Sequence, residues 1–223
     1  MVLMALMLPA GALGETLVDL VDRGGIHYEK ASQAPFTGTV TGKSQGSFKN
    51  GKEDGPWADY WDNGKLSSKG DYKDGKKGGP WVDYYRNGQL RSKGSYKDGK
   101  ENASWVVYYE NGQILYEATY KDGKQDGLWT EYWDNGRLMF KGNLNDGNKY
   151  GIWVQYRSNG RLRYKITYKD GKKEGPWFKY RDNGQLWTKG IYKDNMREGP
   201  WFSYWSNGKL LSKITYKDGE PVE

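Results

Sequence analysis

Histidine and thiol chemistry have almost no place in this chain. His27 is its only histidine, and the chain contains no cysteine. A Ser-His-Asp triad could therefore form only around His27, and a thiolate nucleophile, a disulfide or a cysteine-bound metal is excluded. We interpret His27 as a surface residue and predict that the chain holds no metal.

Carboxylates recur at one fixed spacing, which could in principle pair two of them for glycoside hydrolysis. They are Asp59, Asp83 and Glu131. The equivalent positions elsewhere hold apolar, amide, basic and hydroxyl side chains, namely Val107, Gln155, Lys179 and Ser203. Such variety indicates a solvent-facing position. Phosphate-binding loops are also missing, because the glycines mark turns between strands. We predict no catalytic residue and no cofactor, so the protein is not an enzyme.

A 24-residue repeat accounts for most of the chain, and such periodicity is typical of repeat proteins. A tryptophan marks each repeat, at Trp57, Trp81, Trp105, Trp129, Trp153, Trp177 and Trp201. A tyrosine follows three residues later, and then an Asn-Gly pair, starting at Asn63, Asn87, Asn111, Asn135, Asn159, Asn183 and Asn207. Most repeats close on an Asp-Gly pair, at Asp74, Asp98, Asp122, Asp146, Asp170 and Asp218.

The two kinds of turn predict the architecture. Asn-Gly and Asp-Gly both tolerate positive φ, so both favour the two-residue type I′ hairpin turn. We therefore predict an all-β fold, an elongated single-layer antiparallel meander of tandem 24-residue β-hairpin repeats. In this register Trp61 lies opposite Leu66, and Trp57 lies opposite Gly70 and shields its backbone. Ala58 and its equivalents then point to the other face.

The ends of the chain depart from the repeat. Residues 1–14 are apolar and end in a small-x-small pattern, which predicts a signal segment and hence export to the periplasm or cell envelope. Without cleavage of a signal, the protein is expected to be cytoplasmic. We interpret residues 15–32 as an N-terminal cap, 33–54 as a partial repeat, and 55–223 as seven hairpin repeats with the C-terminal end.

Composition narrows the partner classes. The net charge is +7, but 35 basic residues are interleaved with 28 acidic ones, which argues against nucleic acid as a partner. Aromatic residues make up 16% of the chain and must supply much of its core. One aromatic row could also bind a partner through exposed rings, the residue types favoured in interface hot spots. It consists of Trp61, Tyr85, Tyr109, Trp133 and Trp205.

The motif GPWxxYxxNGxLxxKGxYKDGK, complete from Gly55 to Lys76, resembles the bacterial variant of the MORN repeat, including the group labelled YwqK-type antitoxins. The resemblance covers residues 34 to about 220 and implies an elongated β scaffold that binds proteins or membrane lipids. The antitoxin label would imply a toxin protein as partner. The third repeat departs from the motif, with Ala103-Ser104 before Trp105 and Ala118 in place of glycine.

Three partner classes remain open at this point. The first is an unidentified protein, held by a scaffold that is antitoxin-like or associated with the envelope. The second is a cell-envelope glycan, because hairpins rich in tryptophan and tyrosine are also similar to cell-wall-binding repeats. The third is anionic lipid, for which the net charge is the main indication.

Overall fold

The structure is a computed structural model that describes residues 15–222, so the predicted signal segment at 1–14 lies outside the described residues. The amino-terminal part holds β1 (Glu15–Thr16), a 3-10 helix (Leu17–Asp19), β2 (Leu20–Asp22), β3 (His27–Glu29), β4 (Gly38–Thr41) and β5 (Ser44–Lys49). The repeats follow as β6 (Lys52–Tyr60), β7 (Leu66–Lys73), β8 (Lys76–Tyr84), β9 (Leu90–Lys97), β10 (Lys100–Tyr108), β11 (Ile114–Lys121), β12 (Lys124–Tyr132), β13 (Leu138–Asn145), β14 (Asn148–Tyr156), β15 (Leu162–Lys169), β16 (Lys172–Tyr180), β17 (Leu186–Lys193), β18 (Met196–Tyr204), β19 (Leu210–Lys217) and β20 (Glu220–Val222).

One open sheet of 18 strands contains all of these strands except β2 and β3. From β4 to β20 each strand pairs antiparallel with the next one along the chain. The short β1 adds to β4 in parallel, and β2 and β3 form a separate hairpin. The predicted single-layer meander of 24-residue hairpin repeats is confirmed. No helix within residues 15–222 is long and apolar enough to cross a bilayer.

The Asp-Gly turns have the predicted type I′ geometry. Asp74 and Gly75 both have positive φ, at 51° and 78°, and Lys73 pairs directly with Lys76. The same geometry recurs in the later repeats. These turns join each hairpin to the next with the twist that a two-residue loop requires.

The Asn-Gly turns differ, and the prediction of a two-residue type I′ loop was wrong. Within the first of them only Gly64 has positive φ, at 76°. The Gly64 amide donates to the Trp61 carbonyl at 2.9 Å, and the Trp61 amide donates to the Lys65 carbonyl at 2.8 Å. This is a three-residue loop, a type I turn followed by a glycine bulge. The Asn63 side chain is the cause, because its Oδ1 accepts the Lys65 amide at 3.1 Å and holds this conformation.

The longer loop shifts the register beside it. Tyr60, and not Trp61, lies opposite Leu66, so the predicted pairing of Trp61 with Leu66 was wrong. Further from the turn, Trp57 lies opposite Gly70 as predicted. We call the side of the sheet that carries Trp57 and its equivalents the tryptophan face. The side that carries Ala58 and its equivalents is the lysine face, named for the row of lysines described below.

Five of the seven repeat tryptophans cover a glycine of the preceding hairpin with their ring, and not the glycine opposite them in their own hairpin as we predicted. A Cβ on Gly70 would lie 2.3 Å from the ring of Trp81, so no side chain fits between them. The same approach occurs in four other pairs, Gly46 with Trp57, Gly94 with Trp105, Gly142 with Trp153, and Gly190 with Trp201. These five tryptophans are buried. The ring therefore ties successive repeats together.

Two repeats lack this glycine, and their tryptophans are displaced. Ala118 precedes Trp129 and Ile166 precedes Trp177, and both tryptophans are only partly buried. Trp129 stacks on Tyr116 at 4.7 Å, and Trp177 lies against Tyr164 at 6.0 Å. A side chain beneath the ring pushes it aside onto a neighbouring tyrosine.

The amino-terminal end of the sheet carries the main cluster of buried residues. Leu20, Phe36, Val40 and Phe48 pack with the first two repeat tryptophans. Phe36 and Phe48 lie 5.7 Å apart between ring centres. The segment predicted as a cap thus contributes Leu20 to the core, while the partial repeat contributes Phe36, Val40 and Phe48.

Ala103 has a strained backbone, with φ at 64° where the other repeats place glycine. A left-handed conformation costs a non-glycine residue about 1–2 kcal/mol. We therefore expect Ala103→Gly to raise the free energy of unfolding by about 1 kcal/mol in urea denaturation. Ala58→Gly is the matched control. Ala58 lies in ordinary extended backbone, so its replacement should lower stability by about 0.5–1 kcal/mol. A loss of stability in Ala103→Gly would contradict the assignment of strain.

Candidate functional site

The predicted aromatic row lies at the Asn-Gly edge, and four of its members bond to the following repeat. Each donates a hydrogen bond to a backbone carbonyl oxygen. The pairs are Trp61 Nε1 with Tyr84 (3.2 Å), Tyr85 Oη with Tyr108 (2.6 Å), Tyr109 Oη with Tyr132 (2.9 Å), and Trp133 Nε1 with Tyr156 (3.3 Å). Trp205 has no such bond among the described residues and is 53% exposed. The structure thus gives four of these side chains a role between repeats. Partner binding by the row stays a prediction.

Where the row lacks an aromatic residue, an arginine donates the same hydrogen bond to the following repeat. Arg157 donates to the Tyr180 carbonyl at 3.1 Å, and Arg181 donates to the Tyr204 carbonyl at 2.7 Å. Tryptophan, tyrosine and arginine share a long side chain with a terminal donor. The position therefore requires a long side chain with a terminal hydrogen-bond donor. A search for aromatic residues alone left the two arginines out of the row for this reason.

The residues considered for acid–base chemistry have structural contacts. His27 packs 4.9 Å from Phe48, between ring centres, and its Nδ1 lies 3.3 Å from the Gly51 carbonyl oxygen. Asp59 accepts hydrogen bonds from Ser44, Ser68 and Trp57. Within residues 15–222, no three histidine or carboxylate side chains group together as metal ligands would.

The tryptophan face carries a ladder of edge-to-face rings. From Phe48 it runs through Trp57, Tyr72, Trp81, Tyr96 and Trp105 to Tyr120, with 5.2–6.4 Å between successive ring centres. Edge-to-face contacts of this kind add to the stabilisation from burial. The ladder leaves few ring faces of these tryptophans free for stacking on a ligand.

In several repeats a cation of the chain lies over the tryptophan or tyrosine rings of this face. Lys77 Nζ is 4.0 Å from the ring centre of Trp81 and 5.2 Å from that of Tyr96. Lys149, Lys173 and Arg197 occupy the equivalent positions and lie over rings of their own repeats. Sequence reasoning treated these cations as part of a solvated surface and missed the contact, although their spacing equals that of the tryptophans.

The lysine face carries a row of lysines and apolar residues that crosses the strands. Ala58 lies opposite Lys69, Lys69 opposite Val82, and Val82 opposite Lys93. The pattern continues to the carboxyl-terminal repeat through the lysines Lys141, Lys165, Lys189 and Lys213 and the half-buried apolar residues Val106, Val154, Phe178 and Phe202. Glu117 and Thr130 interrupt it in the middle of the array.

A cleft opens on this face at the amino-terminal repeats. Its volume is about 650 Å³, and Pro56, Ala58, Tyr60, Leu66, Lys69 and Val82 are among its lining residues. The lining is mostly apolar, and Lys69 adds a positive charge. Such a surface can hold an apolar group next to an anionic one.

Two half-buried tyrosines on the tryptophan face, Tyr72 in the ladder and Tyr116 outside it, predict a loss of stability at alkaline pH. Burial, followed by the charge of Glu53, raises the pKa of Tyr72 to about 12, and burial raises the pKa of Tyr116 to about 12. In the unfolded chain tyrosine titrates near pH 10. The stabilisation from the protonated hydroxyls should therefore be complete below about pH 10 and be lost between about pH 10 and 12.

Urea denaturation across this pH range measures the loss, and tyrosinate absorbance followed in parallel reports ionisation. Tyr72→Phe should show a weaker pH dependence than the native chain. An equal dependence in both proteins would mean that Tyr72 does not couple to folding.

The chain matches the MORN repeat variant family in seven consecutive segments, at residues 53–74, 77–98, 101–122, 125–146, 149–170, 173–194 and 197–218. Each segment covers one tryptophan and the Asn-Gly turn after it. No curated protein matches the chain. The seven segments together span more than half of its length. The chain therefore belongs to the MORN repeat variant family.

Proposed function

We propose that this protein is a non-catalytic scaffold that binds a partner protein along its lysine face. MORN repeats are typically protein- or membrane-interaction repeats, and the family is generally non-catalytic. The observation that carries the proposal is the cross-strand row in which lysines alternate with apolar side chains. Lys69, Lys93 and Lys141 in this row are exposed, so they are available to a partner.

The spacing of the row indicates the chemistry of the partner. Lysines stand on every second strand, so successive charges are about 9.6 Å apart. A peptide in the polyproline II conformation returns to the same side every third residue, after about 9.3 Å. An extended segment with an acidic residue at every third position would thus match the lysines, and its other side chains would contact the valines and phenylalanines.

Narrower roles are extensions of this proposal. In an antitoxin-like role the partner would be a toxin protein, and the acidic segment would belong to it. Export is supported by the apolar sequence of residues 1–14, and the partner would then be sought in the periplasm or cell envelope. A cytoplasmic partner is expected where that segment is not a signal.

Charge reversal on the lysine face tests the proposal. A variant with Lys69, Lys93 and Lys141 changed to glutamate should lose the protein captured by the native chain in an affinity pull-down. Glutamate is compatible with the fold at this position, because Glu117 occupies it in the third repeat. The matched control changes Lys52, Lys76 and Lys100, exposed lysines beside the Asp-Gly turns, to glutamate.

The control variant has the same net charge, so it should retain the captured protein if the central row is the binding surface. Equal loss in both variants would mean that net charge and not the row attracts the partner. A third variant, Trp61, Tyr85 and Trp133 changed to alanine, tests the aromatic row. If it loses the partner while still folded, the row binds the partner directly.

Anionic lipid is a second candidate, favoured by the same line of lysines. Lysines near an anionic membrane surface each add about 1 kcal/mol of attraction, and salt weakens it. Vesicles of phosphatidylserine and phosphatidylcholine, tested at low and high salt, separate this candidate from a protein partner. A glycan would need exposed ring faces, whereas five of the repeat tryptophans are buried.

A further inference from the structure

Four of the seven repeats place a cation over the aromatic rings of the tryptophan face, and the third repeat is one of those that lack it. Lys77, Lys149, Lys173 and Arg197 are separated by multiples of 24 residues, and the position in the third repeat is Glu101. The rings that a cation would cover there are Trp105 and Tyr120, which lie 6.4 Å apart in an edge-to-face contact. A cation site made of aromatic rings is thus retained, but its internal cation is replaced by a carboxylate.

A cavity of about 330 Å³ opens at this place on the tryptophan face. Five aromatic residues contribute to its lining, Tyr85, Tyr96, Trp105, Tyr116 and Tyr120. Two sequence changes distinguish it from neighbouring repeats. Val107 replaces the aspartate found at Asp59 and Asp83, and Tyr116 replaces the serine found at Ser68 and Ser92. The first change removes a hydrogen-bonding carboxylate, and the second adds an aromatic wall.

The charge of the cavity favours a cation. Asp83 and Glu101 both line it, and among the described residues Arg91 is the one basic side chain in the lining. Asp83 accepts a hydrogen bond from Ser92, whereas the Glu101 carboxylate has no hydrogen bond or ion pair within residues 15–222. Burial, and after it the negative charges of Glu101 and Asp83, raises the pKa of Tyr96. Arg91 is exposed, so water screens its charge more than that of the half-buried Glu101.

We propose that this cavity binds an organic cation of the quaternary ammonium class. Aromatic rings attract such a group through the negative faces of their π-systems, and its methyl groups need no hydrogen-bond acceptors. The Glu101 carboxylate supplies the counter-charge that the rings alone lack. The volume is at the lower end of the range for small-molecule pockets, which suits a small head group. The site lies on the opposite face from the proposed protein-binding row and does not depend on it.

Choline is the probe, titrated into the full chain while amide and indole NMR signals are followed. The control ligand is its uncharged isostere, in which carbon replaces the ammonium nitrogen. Sodium chloride at equal ionic strength controls for salt. We expect choline to shift the Trp105 indole signal saturably and the isostere to bind at least about tenfold more weakly, because it lacks the charge. An equal response to both ligands, or no saturable shift with choline, would overturn the proposal.

Substitutions already present in the chain test the residues without disturbing the fold. Glu101→Lys installs the cation found at Lys77 and should weaken choline binding by about tenfold or more, because the new ammonium fills the site. Tyr116→Ser restores the residue found at Ser92 and should weaken binding severalfold. Glu53→Lys is the matched control, with the same charge change at the equivalent position of the first repeat.

Binding that is retained in Glu53→Lys and lost in Glu101→Lys supports the site. Binding that survives Glu101→Lys, or that falls equally in both lysine variants, assigns the effect to general electrostatics and contradicts it. Tyr116→Ser supplies an independent result, because it leaves the net charge unchanged. Full binding in that variant would also contradict the aromatic cage.

Discussion

The packing of a tryptophan ring on the bare backbone of the preceding repeat is the contact on which the rest of this structure depends. A single-layer sheet has no second layer to bury its side chains, so each repeat must find its core in its neighbours. Trp81 over Gly70 and Trp105 over Gly94 provide that core at their junctions. Bonds from the Asn-Gly edge, such as Tyr109 to the Tyr132 carbonyl, hold the other end of the same junction.

This constraint divides the two faces of the sheet. The tryptophan face is occupied by inter-repeat packing, and it becomes available for a ligand only where the pattern changes, as at Glu101 and Tyr116. Within residues 15–222 the lysine face carries no comparable ladder of rings, and its exposed lysines are open to a partner. A single-layer sheet can thus hold its repeats together through one face and bind a partner through the other.

Much of the fold could be predicted from the sequence because the same motif occurs seven times along the chain. Period, strand order and the Asp-Gly turns followed from backbone preferences that are local. The Asn-Gly turn did not, because the side chain of Asn63 competes with the backbone for the Lys65 amide. The glycines that the tryptophan rings cover were also predicted wrongly. Gly46 and Gly70 both lie opposite Trp57, on the two neighbouring strands, and only the direction of the ring in three dimensions shows that it covers Gly46. Arg157 and Arg181 show that the candidate row is defined by hydrogen-bond donation, which a search for aromatic residues does not detect.

The most direct test of this account compares isoleucine at two glycines with different surroundings. A Cβ at Gly94 would meet the Trp105 ring at 2.2 Å, whereas Gly78 has nothing within 4 Å. The account predicts that Gly94→Ile lowers the free energy of unfolding by about 2–3 kcal/mol through forced displacement of the ring. It also predicts faster amide exchange on both sides of the junction between β9 and β10, and little change for Gly78→Ile. Equal effects of the two substitutions on urea denaturation and amide exchange would contradict the central role of the ring.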